Sequence, residues 1–105
     1  MGIRANLLAM LERENDSAML RFSLAGEMLK DGDIAEAVEH AQKAVEMQPD
    51  YSAAWKLLGK ACVAANDSAR AIAAYSQGID VSEARGDKQA AKEMRVFLKR
   101  LQRDT

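Results

Sequence analysis

The chain contains few of the residues on which catalytic and covalent sites are usually built. One histidine and one cysteine occur among its 105 residues, too few for an internal disulfide or a zinc site of the common Cys/His type. Cys62 lies in an apolar stretch, which predicts a small buried side chain rather than a reactive thiol. His40 has charged and polar neighbours, which predicts a solvated surface histidine. We therefore expect no enzyme, no catalytic residue, no metal site and no cofactor.

An excess of one charge and a long apolar run are also missing. Lys and Arg number 15 and Asp and Glu 16, giving a formal net charge of −1, without the basic excess that is typical of nucleic-acid binders. No apolar run reaches the roughly eighteen residues that suggest a membrane span, and the N-terminus lacks a signal-peptide pattern. We expect a cytoplasmic protein that binds neither nucleic acid nor a membrane.

Proline and aromatic residues are scarce as well. The chain has one Pro, six Gly and 5% aromatic residues, whereas 49% of its residues are hydrophobic. Long irregular loops are therefore unexpected, and the apolar content suffices for the core of one domain. Alanine and leucine dominate while β-branched residues are scattered, which predicts an all-α fold.

Aspartate recurs every seventeen residues, at Asp16, Asp33, Asp50 and Asp67. Asp is among the best helix N-caps, because its carboxylate accepts a hydrogen bond from a free amide of the first turn. This interval accommodates a helix of about a dozen residues and a short connection. The spacing predicts that helices start after these four aspartates.

Residues that tolerate a left-handed backbone stand at two of the predicted connections. Gly32 and Asn66 each precede one of the aspartates and predict a left-handed helix end there. The spacing then breaks, because the next Asp is Asp87, after Gly86. This break predicts that the preceding helix runs about one turn longer, to near Arg85.

Two consecutive intervals make a unit of thirty-four residues, which is the period of the tetratricopeptide repeat. The segment Trp55-Lys56-Leu57-Leu58-Gly59 matches the W-x2-L-G element of that motif, and Ala71 and Tyr75 match its A-x3-F element. The chain thus resembles the tetratricopeptide family over residues 18–85. The first unit matches at Ala37, Ala44 and Pro49, and departs from the motif at Arg21, Met28 and Ala41.

The resemblance implies one domain, residues 1–105, folded as a right-handed α-α superhelix of about six helices. We expect an N-terminal helix over 3–14, repeat one over 18–51, repeat two over 52–85 and a C-terminal capping helix over 87–102. The first helix is expected to turn Ile3, Leu7, Met10 and Leu11 inward. The last is expected to bury Ala91, Met94, Leu98 and Leu101 beside Phe97.

In this family the first helix of each pair lines a concave groove that receives a partner peptide or helix. The resemblance therefore implies a non-catalytic protein-interaction module. The groove positions transfer to Met19, Phe22, Ser23, Gly26, Leu29 and Lys30 in the first repeat, and to Ala53, Lys56, Leu57, Lys60, Val63 and Ala64 in the second.

Three of these positions are lysines, Lys30, Lys56 and Lys60, which favour a partner with carboxylate or acidic groups beside an apolar anchor. Ordinary solvated lysines are the alternative. Phe22 and Gly26 occupy the lysine and asparagine positions with which one subclass of the family clamps a C-terminal carboxylate, which argues against that clamp.

Two alternatives remain open at the level of sequence. A terminal helix can fold across the groove, or the protein can be a structural, self-associating subunit without a peptide ligand. In the second case Ile3, Leu7 or Phe97 would provide apolar surface for a weak homodimer, so that either a monomer or a weak homodimer is expected.

Overall fold

The computed structural model describes residues 2–13 and 15–104, and this part of the chain forms six α-helices and no strand. The helices are α1 (Ile3–Glu12), α2 (Ala18–Asp31), α3 (Ile34–Met47), α4 (Ser52–Ala64), α5 (Ser68–Arg85) and α6 (Lys88–Arg103). The predicted all-α fold is confirmed. The predicted end of the first helix, Glu14, lies outside the described residues.

Each helix packs on the next one along the chain, and the stack measures 41 × 28 × 18 Å. The pairs α2–α3, α4–α5 and α5–α6 make the most extensive contacts. This arrangement is a short α-helical solenoid, in which each unit covers the apolar face of its neighbour. Within the described ranges, no helix is long and apolar enough to cross a membrane.

Left-handed residues end α2, α4 and α5. Gly32, Asn66 and Gly86 have φ angles of 84°, 60° and 77°. In each case the N–H of the next aspartate donates to a carbonyl five residues earlier, which satisfies a carbonyl that the helix end would leave free. The prediction of left-handed ends at Gly32 and Asn66 is confirmed. The longer fifth helix, which ends at Arg85, is also confirmed.

The predicted cap at Asp67 is confirmed, and Asp87 caps the last helix in the same way. Their carboxylates accept hydrogen bonds from the N–H groups of Arg70 and Ala90, each at 3.1 Å. Each bond satisfies one free donor of the first turn, of α5 and α6 respectively.

At Asp16 the predicted cap is wrong. The N-cap of α2 is Ser17, whose hydroxyl accepts the N–H of Leu20 at 3.0 Å. The Asp16 carboxylate instead accepts two hydrogen bonds from Arg21, from Nε and Nη2, both at 2.9 Å. A charge-assisted pair of bonds with a guanidinium is stronger than a bond to a neutral amide, so Asp16 is engaged elsewhere.

The predicted cap position at Asp33 is confirmed, but the expected side-chain bond is not made there. The predicted cap at Asp50 is wrong. Asp33 precedes α3, but its carboxylate binds the guanidinium of Arg4 and makes no cap bond. Asp50 stands one residue too early, because the N-cap position of α4 is Tyr51. A regular interval in the sequence thus marks the connections without fixing which side chain caps each helix.

Small residues allow the helices to approach closely. Ala25, Ala37 and Ala71 are completely buried in the contacts between paired helices. A Cβ atom added to Gly59 would lie 2.5 Å from Cε1 of Tyr75, so the α4 backbone rests directly on that ring. This close contact explains why a large aromatic residue fits in so small a core.

The first helix is attached less firmly than predicted. It packs on α2 alone and contains no buried residue. Leu7, Leu8 and Leu11 touch the core, whereas Ile3 and Met10 are 63% and 43% exposed, so the inward placement of these two was wrong. A helix with one neighbour buries only a narrow stripe of its surface.

One arginine of α1 contributes to this attachment through charge. Arg4 forms ion pairs with Asp31, Asp33 and Glu36 at the junction of α2 and α3. The pKa of Arg4 is raised, mainly by its hydrogen bond to Asp33.

The last helix closes the opposite end of the stack. Ala91 and Met94 are buried, and Leu98 and Leu101 pack against the core. The rings of Phe97 and Tyr75 lie 5.5 Å apart between centroids. The predicted inward residues of this helix are confirmed.

Candidate functional site

One side of the stack is formed by α2, α4 and α6. Close backbone contacts join α2 to α4 and α4 to α6. Within the described part of the chain, α1 and α3, and likewise α3 and α5, lie farther apart and are linked by long side chains, Arg4 to Glu36 and Arg70 to Gln42. Helices that touch on one side and are separated on the other curve around the closer side. We call the solvent-facing side of α2, α4 and α6 the concave surface.

The residues predicted to line the groove all reach solvent on α2 and α4. Met19, Lys30, Ala53, Lys60 and Ala64 are exposed, whereas Phe22, Ser23, Gly26 and Lys56 are half-buried. Of the further residues transferred from the family, Val63 is exposed, and Leu29 and Leu57 are half-buried and pack against the core. None of these residues is fully buried.

The aromatic ring on this surface is held in place. Phe22 lies 5.1 Å from Tyr51 between ring centroids, with the planes tilted by 38°. The contact joins α2 to the start of α4. Burial raises the pKa of the Tyr51 hydroxyl. Phe22 therefore helps to build the wall of the surface, and its ring is only partly available to a ligand.

The three lysines differ in their partners. Lys56 Nζ lies 3.3 Å from Oε1 of Glu93 on α6, and Lys30 Nζ lies 3.8 Å from Oε1 of Glu27 on its own helix. Lys60 forms no ion pair with any residue in 2–13 or 15–104. Among these lysines, Lys60 is thus the one whose charge is not already offset by a neighbouring carboxylate.

Two open depressions lie at opposite ends of this surface. The N-terminal pocket, of about 460 Å³, lies between α2, the start of α4 and the α5–α6 turn. Its lining includes Met19, Tyr51, Ser52, Ala53 and Arg85.

The C-terminal pocket, of about 370 Å³, lies where the ends of α4 and α6 meet α5. Its lining exposes far more apolar than polar surface. The residues that line it are Lys60, Val63, Tyr75, Phe97, Arg100, Leu101 and Asp104.

Sequence reasoning missed the contribution of α6 to this surface, because it treated the helix only as a cap. Its fourth turn supplies Arg100 and Leu101 to the C-terminal pocket.

Groups with catalytic potential are isolated from one another. Cys62 is buried and free, and burial raises its pKa, as expected for a structural thiol. His40 is partly buried, with Nδ1 3.1 Å from Nη1 of Arg21. Desolvation, and then the Arg21 charge, lower its pKa. The predicted solvated histidine is thus partly wrong, because Arg21 covers one side of the ring.

No cluster of three or more potential metal ligands occurs in the described ranges. The geometry described so far consists of a curved face with a mixed polar and apolar depression at one end and an apolar depression with a basic edge at the other. Such a face is suited to contacts with another chain.

Comparisons with known proteins agree with this geometry. The sequence model of the tetratricopeptide repeat family matches residues 28–93. The chain belongs to the tetratricopeptide repeat family. It is 52% identical over 94 residues to the TPR repeat-containing protein PA0015 of Pseudomonas aeruginosa strain PAO1, covering 90% of each chain.

Two solved structures show the same fold. Protein BPP2914 from Bordetella parapertussis superposes with a TM-score of 0.85 at 38% identity, over 99% of this chain and 90% of that one. A tetratricopeptide repeat domain protein from Salinibacter ruber superposes with a TM-score of 0.75 at 28% identity, over 81% and 86% of the two chains. The resemblance stated from the sequence is confirmed.

Membership of the family bears on the general role of the concave surface and on the helices that form it. Tetratricopeptide repeats generally mediate protein–protein interactions, and their inner helices correspond here to α2 and α4. The match to residues 28–93 reaches into α6, which agrees with a concave surface that includes the last helix.

Proposed function

We propose that this protein is a non-catalytic interaction module that binds a peptide or helix of a partner protein on the concave surface. One observation carries the proposal: the predicted groove residues of α2 and α4 all reach solvent, and none of them is fully buried. In this proposal residues 18–51 and 52–85 form the two full repeats, flanked by the terminal helices. The protein acts in the cytoplasm.

The proposed contact residues are Met19, Phe22, Ser23, Gly26, Lys30, Ala53, Lys56, Lys60 and Ala64. Met19, which is 70% exposed, offers a flexible apolar contact beside the N-terminal pocket. Lys60 offers an unpaired charge at the other end. Together they favour a partner segment that combines an apolar side chain with acidic groups.

The test is a selection of peptides from a random library against the immobilised protein, followed by titration into isotope-labelled protein. We expect amide shift changes concentrated in α2, α4 and α6. A Met19→Glu variant should weaken binding, whereas Ala69→Glu, on the exposed outer side of α5, should not. Shift changes confined to α1, α3 and α5, or no peptide selected at all, would contradict the proposal.

Self-association is the second candidate function. Ile3 and Met10 leave apolar surface exposed on α1, and a second copy packed there would remove it from water. Sedimentation at two concentrations decides the matter. A mass that rises with concentration, and that falls back in an Ile3→Lys variant, supports a homodimer, and a constant monomer excludes it.

A further inference from the structure

The C-terminal pocket combines an apolar wall with a basic edge. Val63 is 42% exposed at its rim, and the half-buried Phe97 and Leu101 form its floor. Lys60 and Arg100 belong to the same lining and come from different helices, α4 and α6. The apolar and charged elements are thus brought together by folding rather than by their position in the sequence.

The charge of this edge is not offset locally. Within the described residues, neither Lys60 nor Arg100 forms an ion pair, and Asp104 is the one acidic residue of the lining. Helix α6 carries six basic residues and a single glutamate, Glu93, which is already paired with Lys56. Since the whole chain has a formal net charge of −1, positive charge is concentrated at this end of the molecule.

Resting on the function proposed above, we infer that the C-terminal pocket binds an acidic peptide segment through one large apolar side chain. The side chain enters between Val63 and Phe97, while carboxylates beside it pair with Lys60 and Arg100. Charge complementarity selects this occupant, because a basic or neutral segment would leave both cations unpaired at the edge of an apolar contact. Arg100 thereby acquires a specific role in recognising the partner.

A membrane surface fits the same residues less well. An amphipathic helix that binds lipid inserts its apolar face into the bilayer. The apolar face of α6 is already packed against α5, with Met94 completely buried. The apolar surface that lies beside Lys60 and Arg100 is a concave pocket, which suits one side chain and not a flat interface.

The test uses a labelled peptide of about ten residues, roughly 33 Å when extended, made of aspartate and glutamate with one central phenylalanine. Its binding to the full chain is followed by fluorescence anisotropy and by amide shifts. Two matched peptides replace the phenylalanine by alanine or the acidic residues by lysine. We expect the alanine peptide to bind about tenfold or more weakly, and the lysine peptide to show no saturable binding.

Variants of the protein then locate the contact. Lys60→Glu combined with Arg100→Glu should weaken binding of the phenylalanine peptide about tenfold or more. The control pair is Lys43→Glu with Lys99→Glu, which reverses equal charge at exposed positions of α3 and α6 outside the pocket and should change binding less than about twofold. Thermal unfolding of each variant verifies that the fold is kept.

The outcomes separate this inference from the function on which it rests. Shifts at Lys60, Val63, Phe97 and Arg100 that vanish in the first variant support the pocket. Shifts limited to the N-terminal half of the concave surface would overturn the pocket and leave the interaction module standing. An equal loss of peptide binding in both variant pairs would show general charge attraction and would also overturn the pocket. Binding to anionic phosphatidylglycerol vesicles as strong as binding to the peptide would do the same. If neither this peptide nor any library peptide bound, both proposals would fail.

Discussion

The contact between Gly59 and Tyr75 leads to a quantitative prediction about Gly59→Ala. A Cβ at this position would lie 2.5, 2.6 and 2.7 Å from three atoms of the Tyr75 ring. The ring is 2% exposed and rests against Phe97, so it cannot move away without disturbing α6. Such overpacking costs about 1–3 kcal/mol, whereas alanine gains about 1 kcal/mol over glycine within a helix. The two contributions leave a net loss of about 0–2 kcal/mol in the free energy of unfolding.

Gly26 provides a matched control, because it lies within α2 and a Cβ there would have no neighbour within 4 Å. Gly26→Ala should therefore stabilise the protein by about 0.5–1 kcal/mol. Urea and thermal unfolding measure both variants, and each kcal/mol shifts the midpoint of a domain of this size by about 4–8 °C.

A double mutant then tests the cause of the destabilisation. In a Tyr75→Leu background, Gly59→Ala should lose most of its cost, because the flat ring that rests on Gly59 is gone. If Gly59→Ala proved as stabilising as Gly26→Ala, the described packing of α4 against α5 would be wrong. The same conclusion would follow if its cost were unchanged without the ring.

Three further predictions concern single side chains. Asp67→Ala should lower the free energy of unfolding by about 1 kcal/mol, because an N-cap is lost. Asp50→Ala should lower it by less than about 0.5 kcal/mol, because it removes only an exposed ion pair with Arg85. Equal losses in urea unfolding would contradict the cap assignment. The pKa of His40 is lowered in the folded state, so the unfolded chain binds the proton more readily. The free energy of unfolding should therefore be highest above about pH 6.5 and fall as the pH drops towards the folded pKa. A His40→Gln variant should lack this loss. The Cys62 thiol, buried and with a raised pKa, should react with a disulfide reagent much more slowly in the native protein than in urea, and a fast native reaction would contradict its burial.

Local features of the sequence predicted the helices well. The left-handed ends at Gly32 and Asn66, the extra turn of α5 and the buried face of α6 follow from backbone preference and apolar spacing, which act within a few residues. The caps were predicted less well, because Asp16 and Asp33 bind arginines, and one of these, Arg4, lies in another helix. Such competition between partners depends on the tertiary structure.

In the candidate site too, locally encoded features could be predicted from the sequence, whereas tertiary contacts could not. The groove positions on α2 and α4 were predicted from the repeat motif, and each is exposed or half-buried in the structure. The pairing of Lys56 with Glu93, and the pocket that joins Lys60 to Arg100, depend on how α6 docks on α4. Side chains about forty residues apart come together there, and no local pattern in the sequence specifies that contact.

The most direct test of the account is the structure of the protein in complex with a peptide selected from the random library. The account predicts that the peptide contacts α2, α4 and α6. A peptide bound to the outer side of α3 and α5, with the concave surface left open to solvent, would contradict it.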